Sequence, residues 1–196
     1  MSLAEAELLR KVQQKDEDAF AELVEIYQTP VYNLCYRMLG SAEEAEDAAQ
    51  ESFWRAYQAI NRYDPTRSFI TWLLSIAAHY CIDLQRKRKL PVLEIDGEEE
   101  FEIPDRAMEP EKMLSNKQEK EMITGMLKKI SETDRAVIIL RYWQEMPEEE
   151  IAKSLSLTIS AVKSRLHRAR LQLAKLMLEP KPTIAIERNH HESPAF

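Results

Sequence analysis

The sequence predicts an all-α protein built from two small helical domains, and three observations carry that prediction. Only three glycines occur in 196 residues, and Leu, Ala, Glu, Lys, Arg and Gln dominate; these are strong helix formers. Apolar residues recur at spacings of three and four, while the alternation of half-buried strands is nearly absent. The helical pattern breaks sharply at Pro91, where "PVLEIDGEEEFEIPDRAMEP" brings three prolines, one glycine and a run of acids. Residues 91–121 therefore read as a flexible acidic linker, longer than connections inside a compact domain. It separates a unit at 1–90 from one at 122–178, and residues 179–196 read as a disordered tail.

Each element has its own signal. A first helix is expected over about 3–14, and a second over about 16–39, stopped by Gly40 in a left-handed conformation. "SAEE" opens a third at Ser41 as a capping box with Glu44, and its stripe is Ala45, Ala49, Phe53, Ala56 and Ile60. The polar turn "RYDPTR" leads into "SFITWLLSIAAHYCIDLQRKRK", residues 68–89. There Phe69, Leu73, Ile76, Tyr80 and Leu84 form the expected buried stripe. Thr71, Ser75, His79, Ile82 and Arg86 lie to one side, with Trp72 at their margin. The C-terminal unit reads as helices over about 111–130, 132–143, 147–154 and 158–178, the last two joined by "SLSL".

The net charge of −7 argues at first against nucleic acid, but the charge is segregated. Residues 1–90 hold 11 basic and 14 acidic side chains, residues 91–121 hold 4 and 11, and residues 122–196 hold 12 and 9. Cys35 and Cys81 sit singly in apolar patterns and read as buried hydrophobes in a reducing compartment. No Cys/His spacing suggests a metal, and no cofactor is expected; the adjacent His190 and His191 of the tail read as incidental. The charged, amphipathic start does not resemble a secretion signal, and no apolar run is long enough to enter a membrane. A cytoplasmic protein is expected. No carboxylate pair or nucleophile constellation marks an enzyme.

"MPEEEIAKSLSLTISAVKSRLHRARLQLAKLM" has the plan of a helix-turn-helix: short helix, tight turn, longer basic helix. Val162, Leu166, Ala169, Leu173 and Leu176 form its core stripe. Ser160, Lys163, Ser164, His167 and Arg168 project oppositely, flanked by Arg165 and Arg170. Such a face suits base edges and phosphates of a major groove; the alternative is a soluble amphipathic helix with a charged outer face, against which stand the one-signed charge and the preceding short helix. In 68–89, an aromatic beside a polar strip leading into Arg86, Lys87, Arg88 and Lys89 suits single-stranded DNA, although periodicity alone leaves Trp72 between core and surface. Asp47, Gln50, Glu51 and Trp54 lie off the third helix's apolar stripe. There an exposed Trp beside acids points to a protein contact.

Together, "CYRMLGSAEEAEDAAQESFWRAY", "SFITWLLSIAAHYCIDLQRKRK" and "EEEIAKSLSLTISAVKSRLHRARLQL" resemble bacterial sigma factors of the sigma-70 superfamily, of the extracytoplasmic-function (ECF) group. The resemblance implies sigma domains 2 and 4 joined by a linker, and an alternative sigma factor that gives core RNA polymerase its promoter specificity. It implies that Asp47, Gln50, Glu51 and Trp54 contact the beta-prime coiled coil and that domain 4 meets the beta flap. Phe69, Trp72, His79, Arg86, Lys87, Arg88 and Lys89 would meet the minus-ten element. Ser160, Lys163, Ser164, Arg165, His167, Arg168 and Arg170 would meet the minus-thirty-five element. It further implies an anti-sigma factor, often membrane-anchored, as regulator. Many relatives carry Asn where His79 stands, so base preference there is left open. Two other classes remain at this point: a stand-alone helix-turn-helix regulator that binds palindromic DNA without polymerase, and an adaptor with no DNA footprint.

Overall fold

The computed structural model describes residues 3–89 and 122–178, and every regular element in them is helical. They are α1 (Leu3–Gln13), α2 (Glu17–Leu39), α3 (Ala42–Ala59) with a 3-10 turn at Ile60–Arg62, and α4 (Phe69–Lys89). After the linker come α5 (122–128), α6 (Glu132–Tyr142), α7 (Glu148–Ser154) and α8 (Ile159–Leu178). The expected linker, the tail with His190 and His191, and the 111–121 part of the expected fifth helix lie outside the described residues.

Local chemistry sets the boundaries. Asp16 caps α2 by accepting from the Ala19 N–H at 2.9 Å, Ser131 caps α6, and Thr158 accepts from the Ala161 N–H at 3.1 Å to start α8. Ser41 caps α3 as expected, accepting from the Glu44 N–H. The Glu44 carboxylate, however, turns away to the Arg88 guanidinium at 2.7 Å, and a charge-assisted bidentate pair outcompetes a neutral amide. Gly40 ends α2 with φ +76°. A Cβ there would also lie 2.9 Å from Thr124 Cγ2 of α5, so both conformation and close approach require glycine.

The first unit packs Val12, Leu23, Leu34 and Met38 against Ala45, Ala48, Phe53 and Ala56 of α3 and Phe69, Leu73 and Ala77 of α4. The small alanines let α3 approach closely, and each large apolar side chain so buried contributes roughly 1.5–3 kcal/mol. Cys35 and Cys81, far apart in sequence, meet in this core thiol to thiol, and that contact and burial push the Cys81 thiol far up. In the second unit Val137, Ile139, Leu140, Ile151, Val162, Leu166 and Ala169 close α6, α7 and α8 around a smaller core.

Two sequence expectations change. Along α4 the buried set is Phe69, Leu73, Leu74, Ala77, Ala78, Cys81, Ile82 and Gln85, while Ile76, Tyr80 and Leu84 are half-buried. The reason is that α4 packs on α2 and α3 and also on α6 and α7, so a one-sided stripe cannot describe it. On α8, Leu173 and Leu176 are only half-covered, because the helix runs past the end of the core.

The two units dock in a seam along α6, where buried apolar side chains of both join one cluster and a set of polar contacts is added. Arg135 on α6 donates from Nη1 to the Met38 carbonyl in the last turn of α2, and from Nη2 to the carbonyls of Lys128 and Ile130 at 3.0 and 3.3 Å. Gln85 donates to the same Met38 carbonyl. The last carbonyls of a helix lack intrahelical partners, so α2 offers acceptors there. Lys89 pairs with Glu132, Arg86 donates to Thr133 at 3.4 Å, and Arg67 reaches Glu150 and Ser154 of α7. Arg37 lies over the Trp143 ring at 5.1 Å.

Candidate nucleic-acid interface

Asp47, Gln50, Glu51 and Trp54 come together on α3 and line one shallow cleft with Tyr80 of α4. Trp54 is 54% exposed, unusual for a large aromatic and suited to an intermolecular contact. Glu51 holds Arg55 at 2.7 Å, and the Arg55 guanidinium sits 4.4 Å above the Tyr80 ring. Behind this cleft, a groove of about 610 Å³ between α2 and α3 is lined by Phe20, Val24, Tyr32, Phe53 and Trp54 among others. Tyr80 is the addition here: periodicity assigned it to the core, and its place in the cleft depends on how α4 crosses α3.

On α4, Trp72 is half-buried with its ring 5.3 Å from Tyr63 and 5.6 Å from Phe69. Exposed His79 lies one turn beyond Ser75 and donates from Nδ1 to the Ser75 carbonyl at 2.8 Å, since a carbonyl only accepts. That bond fixes the neutral tautomer and leaves Nε2 as the second hydrogen-bonding position. Phe69 is corrected as a direct contact: at 1% exposure, packed between Tyr27, Tyr63 and Trp72, it offers no ring face to a base. The basic end is exposed but engaged, with Arg86 and Lys89 on α6 and Arg88 on Glu44, while Lys87 is exposed beside them.

On α8, Ser160, Lys163, Ser164 and His167 are exposed along the outer face, and Lys163 lies 3.8 Å from Glu148 at the start of α7. The turn before α8 is made without glycine: Ser156 takes φ +54°, and the Leu157 N–H returns to the Ala152 carbonyl at 2.8 Å. Arg170 is exposed and donates to the Leu166 carbonyl. Arg165 and Arg168 differ from the rest of the row, because both bind the buried carboxylate of Asp134 on α6. Burial pushes that carboxyl up, but hydrogen bonds from Arg168, Arg165 and Ser131 outweigh it and hold Asp134 below the ordinary aspartate range. Sequence reading missed Asp134 and Arg135, which look like ordinary first-turn charges of a helix. Opposite charge to the arginines of α8 was the available signal for Asp134, with nothing in the spacing to pair them.

Among the described residues no group of His, Cys, Asp and Glu is arranged to hold a metal ion, and no helix is long and apolar enough to cross a membrane.

Comparison with known proteins matches both parts of the chain to one family. The Sigma-70 region 2 family matches residues 23–90, covering α3 and α4 and most of α2, and the Sigma-70, region 4 family matches residues 120–173, covering the helix-turn-helix. The chain is 38% identical over 174 residues to the ECF RNA polymerase sigma factor SigW of Bacillus subtilis, covering 85% of this chain and 93% of that protein. It is 33% identical over 168 residues to the RNA polymerase sigma factor YlaC of Bacillus subtilis, covering 85% and 96%. Among solved structures, the fold is similar to CnrH in complex with the cytosolic domain of CnrY, with TM-score 0.65 and 24% identity over 87% of this chain and 94% of that one. It is also similar to the sigma factor RpoE of Bartonella quintana in complex with the anti-sigma factor NepR, with TM-score 0.60 and 18% identity over 83% and 98%. With regions 2 and 4 matched in order and relatives covered almost end to end, the chain belongs to the ECF-type sigma-70 family: it is a non-enzymatic RNA polymerase sigma factor that directs transcription initiation.

Proposed function

We propose that residues 1–90 bind core RNA polymerase and the minus-ten element, that residues 122–178 read the minus-thirty-five element, and that residues 91–121 tether the two. The observation that carries this reading is the division of exposed chemistry. Acids and Trp54 cluster on α3, an aromatic and His79 border a basic end on α4, and α8 presents a basic outer face. Asp47, Gln50, Glu51 and Trp54, with Tyr80, meet the beta-prime coiled coil, and domain 4 meets the beta flap. Trp72 and His79 face the unpaired strand, with Phe69 supporting Trp72 from beneath. Arg86, Lys87, Arg88 and Lys89 hold its phosphates. Ser160, Lys163, Ser164 and His167 reach base edges in the duplex, and Arg170 holds phosphate.

The docked arrangement has to open for this work. Elements named for positions 35 and 10 are separated by about 25 base pairs, or roughly 85 Å of duplex at 3.4 Å per pair. In the docked chain the basic end of α4 touches the start of α6, whose Asp134 holds α8. Residues 91–121 reach about 100 Å when extended, enough to let the units part without losing the tether. A regulator that binds across the seam would keep the chain shut, and an anti-sigma factor is the partner class proposed. CnrH and RpoE were each solved with a protein partner.

The test is run-off transcription with core polymerase and a library of promoter fragments. The protein is expected to direct initiation from a subset of fragments and to co-elute with core. Asp47→Ala combined with Trp54→Ala should abolish both. Lys163→Ala should retain co-elution while weakening upstream-element binding. Initiation unchanged by the α3 double variant, or no protein-dependent initiation, would refute this assignment.

A further inference from the structure

Asp134 is the third residue of α6 and is 4% exposed. Arg165 Nη1 lies 2.7 Å from its Oδ1, while Arg168 places Nε 3.0 Å from Oδ2 and Nη2 3.2 Å from Oδ1. Two arginines spaced i, i+3 on the recognition helix thus grip one carboxylate, and the two-point Arg168 contact fixes direction as well as distance. α8 is otherwise held by the apolar burial of Val162, Leu166 and Ala169, which has no direction, by Gln172 donating to the Lys129 carbonyl at 2.8 Å near its far end, and by the exposed Lys163–Glu148 pair at 3.8 Å. Small rotations or slides of α8 would keep the apolar contacts and break the ionic ones. The Arg165 guanidinium is spent on Asp134, and its side chain is far less exposed than that of Lys163.

We infer that Asp134 is a positioning residue that sets the rotation of the recognition helix through Arg165 and Arg168, and that Arg165 acts on promoter DNA only through Asp134 and holds no phosphate. The inference rests on the promoter-reading role of α8 proposed above. It revises that row: the base-reading residues Ser160, Lys163, Ser164 and His167 owe their register to an acid on another helix.

The test uses holoenzyme reconstituted from full-length chain and core polymerase. The probes are a duplex selected by that holoenzyme from a random pool and the same duplex with its upstream element shuffled, each titrated with salt. Asp134→Asn is expected to lower the ratio of selected to shuffled affinity on the order of tenfold, the worth of one base contact. Affinity for the shuffled duplex and the salt slope should stay unchanged. Arg165→Met should do the same, whereas Arg170→Ala should reduce the salt slope by about one, as loss of a phosphate contact does. Asp134→Glu should restore most of the ratio. A purely stabilising role for Asp134 would leave the ratio intact at temperatures where the variant is folded, and that result would overturn the inference. So would an Arg165→Met variant that loses salt slope and keeps its ratio. If Asp134→Asn fails to fold, the Arg165→Met measurement decides alone. If wild-type holoenzyme shows no upstream preference, the reading of α8 falls and this inference with it; a wild-type preference left intact by Asp134→Asn sinks the inference only.

Discussion

The interior of the first unit and the seam between the units are joined by the same helices, α2 and α4, yet the seam adds to its apolar packing a set of long-range polar contacts. Inside, Val12, Leu34, Cys35, Met38, Ala45, Ala48, Leu73 and Ala77 are all fully buried and apolar. At the seam the polar contacts are Arg135, Gln85, Arg67, Lys128, Arg86 and Lys89 on carbonyls, hydroxyls and carboxylates. The seam is also incompletely satisfied: Arg67 Nε, Gln85 Oε1 and Arg135 Nε are buried without a hydrogen-bond partner among the described residues. Each such atom costs about 1–3 kcal/mol. Apolar burial holds whenever the chain is in water, while the polar contacts of the seam compete with water, salt and other ligands for their own partners.

The largest break should come from the interior. Leu73→Ala removes a fully buried side chain and is expected to cost about 2–5 kcal/mol, read as a lower denaturant midpoint with loss of helicity in the first unit. Arg135→Met tests the other side of the comparison. It should leave helicity nearly intact while the radius of gyration in X-ray scattering rises, because the Met38 carbonyl loses the guanidinium that ties it to α6. A compact Arg135→Met chain would show that the seam does not depend on this side chain.

Acid provides a third test with a fixed sign. Hydrogen bonding to Lys89 holds Glu132 below the ordinary glutamate range, and Asp134 is held below its own range by Arg168, Arg165 and Ser131 against the upward push of burial. Groups with depressed folded values stabilise above their unfolded values, near pH 4, and lose that contribution as pH falls through the folded ones. Scattering and circular dichroism between about pH 6 and 3 should therefore show the seam and domain 4 loosening as the pH falls through the depressed values. Dissolution of the first unit ahead of the seam would contradict this ordering. The smallest effect belongs to the turn before α8. Ser156→Gly relieves a left-handed residue and should raise the stability of domain 4 by about 0.5–1 kcal/mol, visible as a small rise in its melting temperature.

Much of this molecule is legible in its residues. Helix ends follow from Asp16, Gly40, Ser41, Ser131 and Thr158, because caps act over three or four residues and are written locally. The division into two units follows from the change of composition at Pro91, and the face of α8 from a repeat of three and four. The legibility fails where one element meets two neighbours. Ile82 and Gln85 are buried because α4 is covered from both units, which periodicity within one helix cannot register. Phe69 is buried in an aromatic cluster with Tyr27 and Tyr63, and only the turn at 63–68 brings those rings together.

The sequence by itself determined the helices, the two-unit plan and the one-signed face of the recognition helix, because each rests on spacings within a turn or two of chain. Only the tertiary structure decided which charges of that face are spent within the domain. Asp134 and Arg135 are neighbours on α6, yet one carboxylate turns inward to Arg165 and Arg168 while the next guanidinium crosses to Met38 of the other unit. Groups 31 and 97 residues apart become partners only when packing brings them within hydrogen-bond reach, and burial then makes the pairing obligatory.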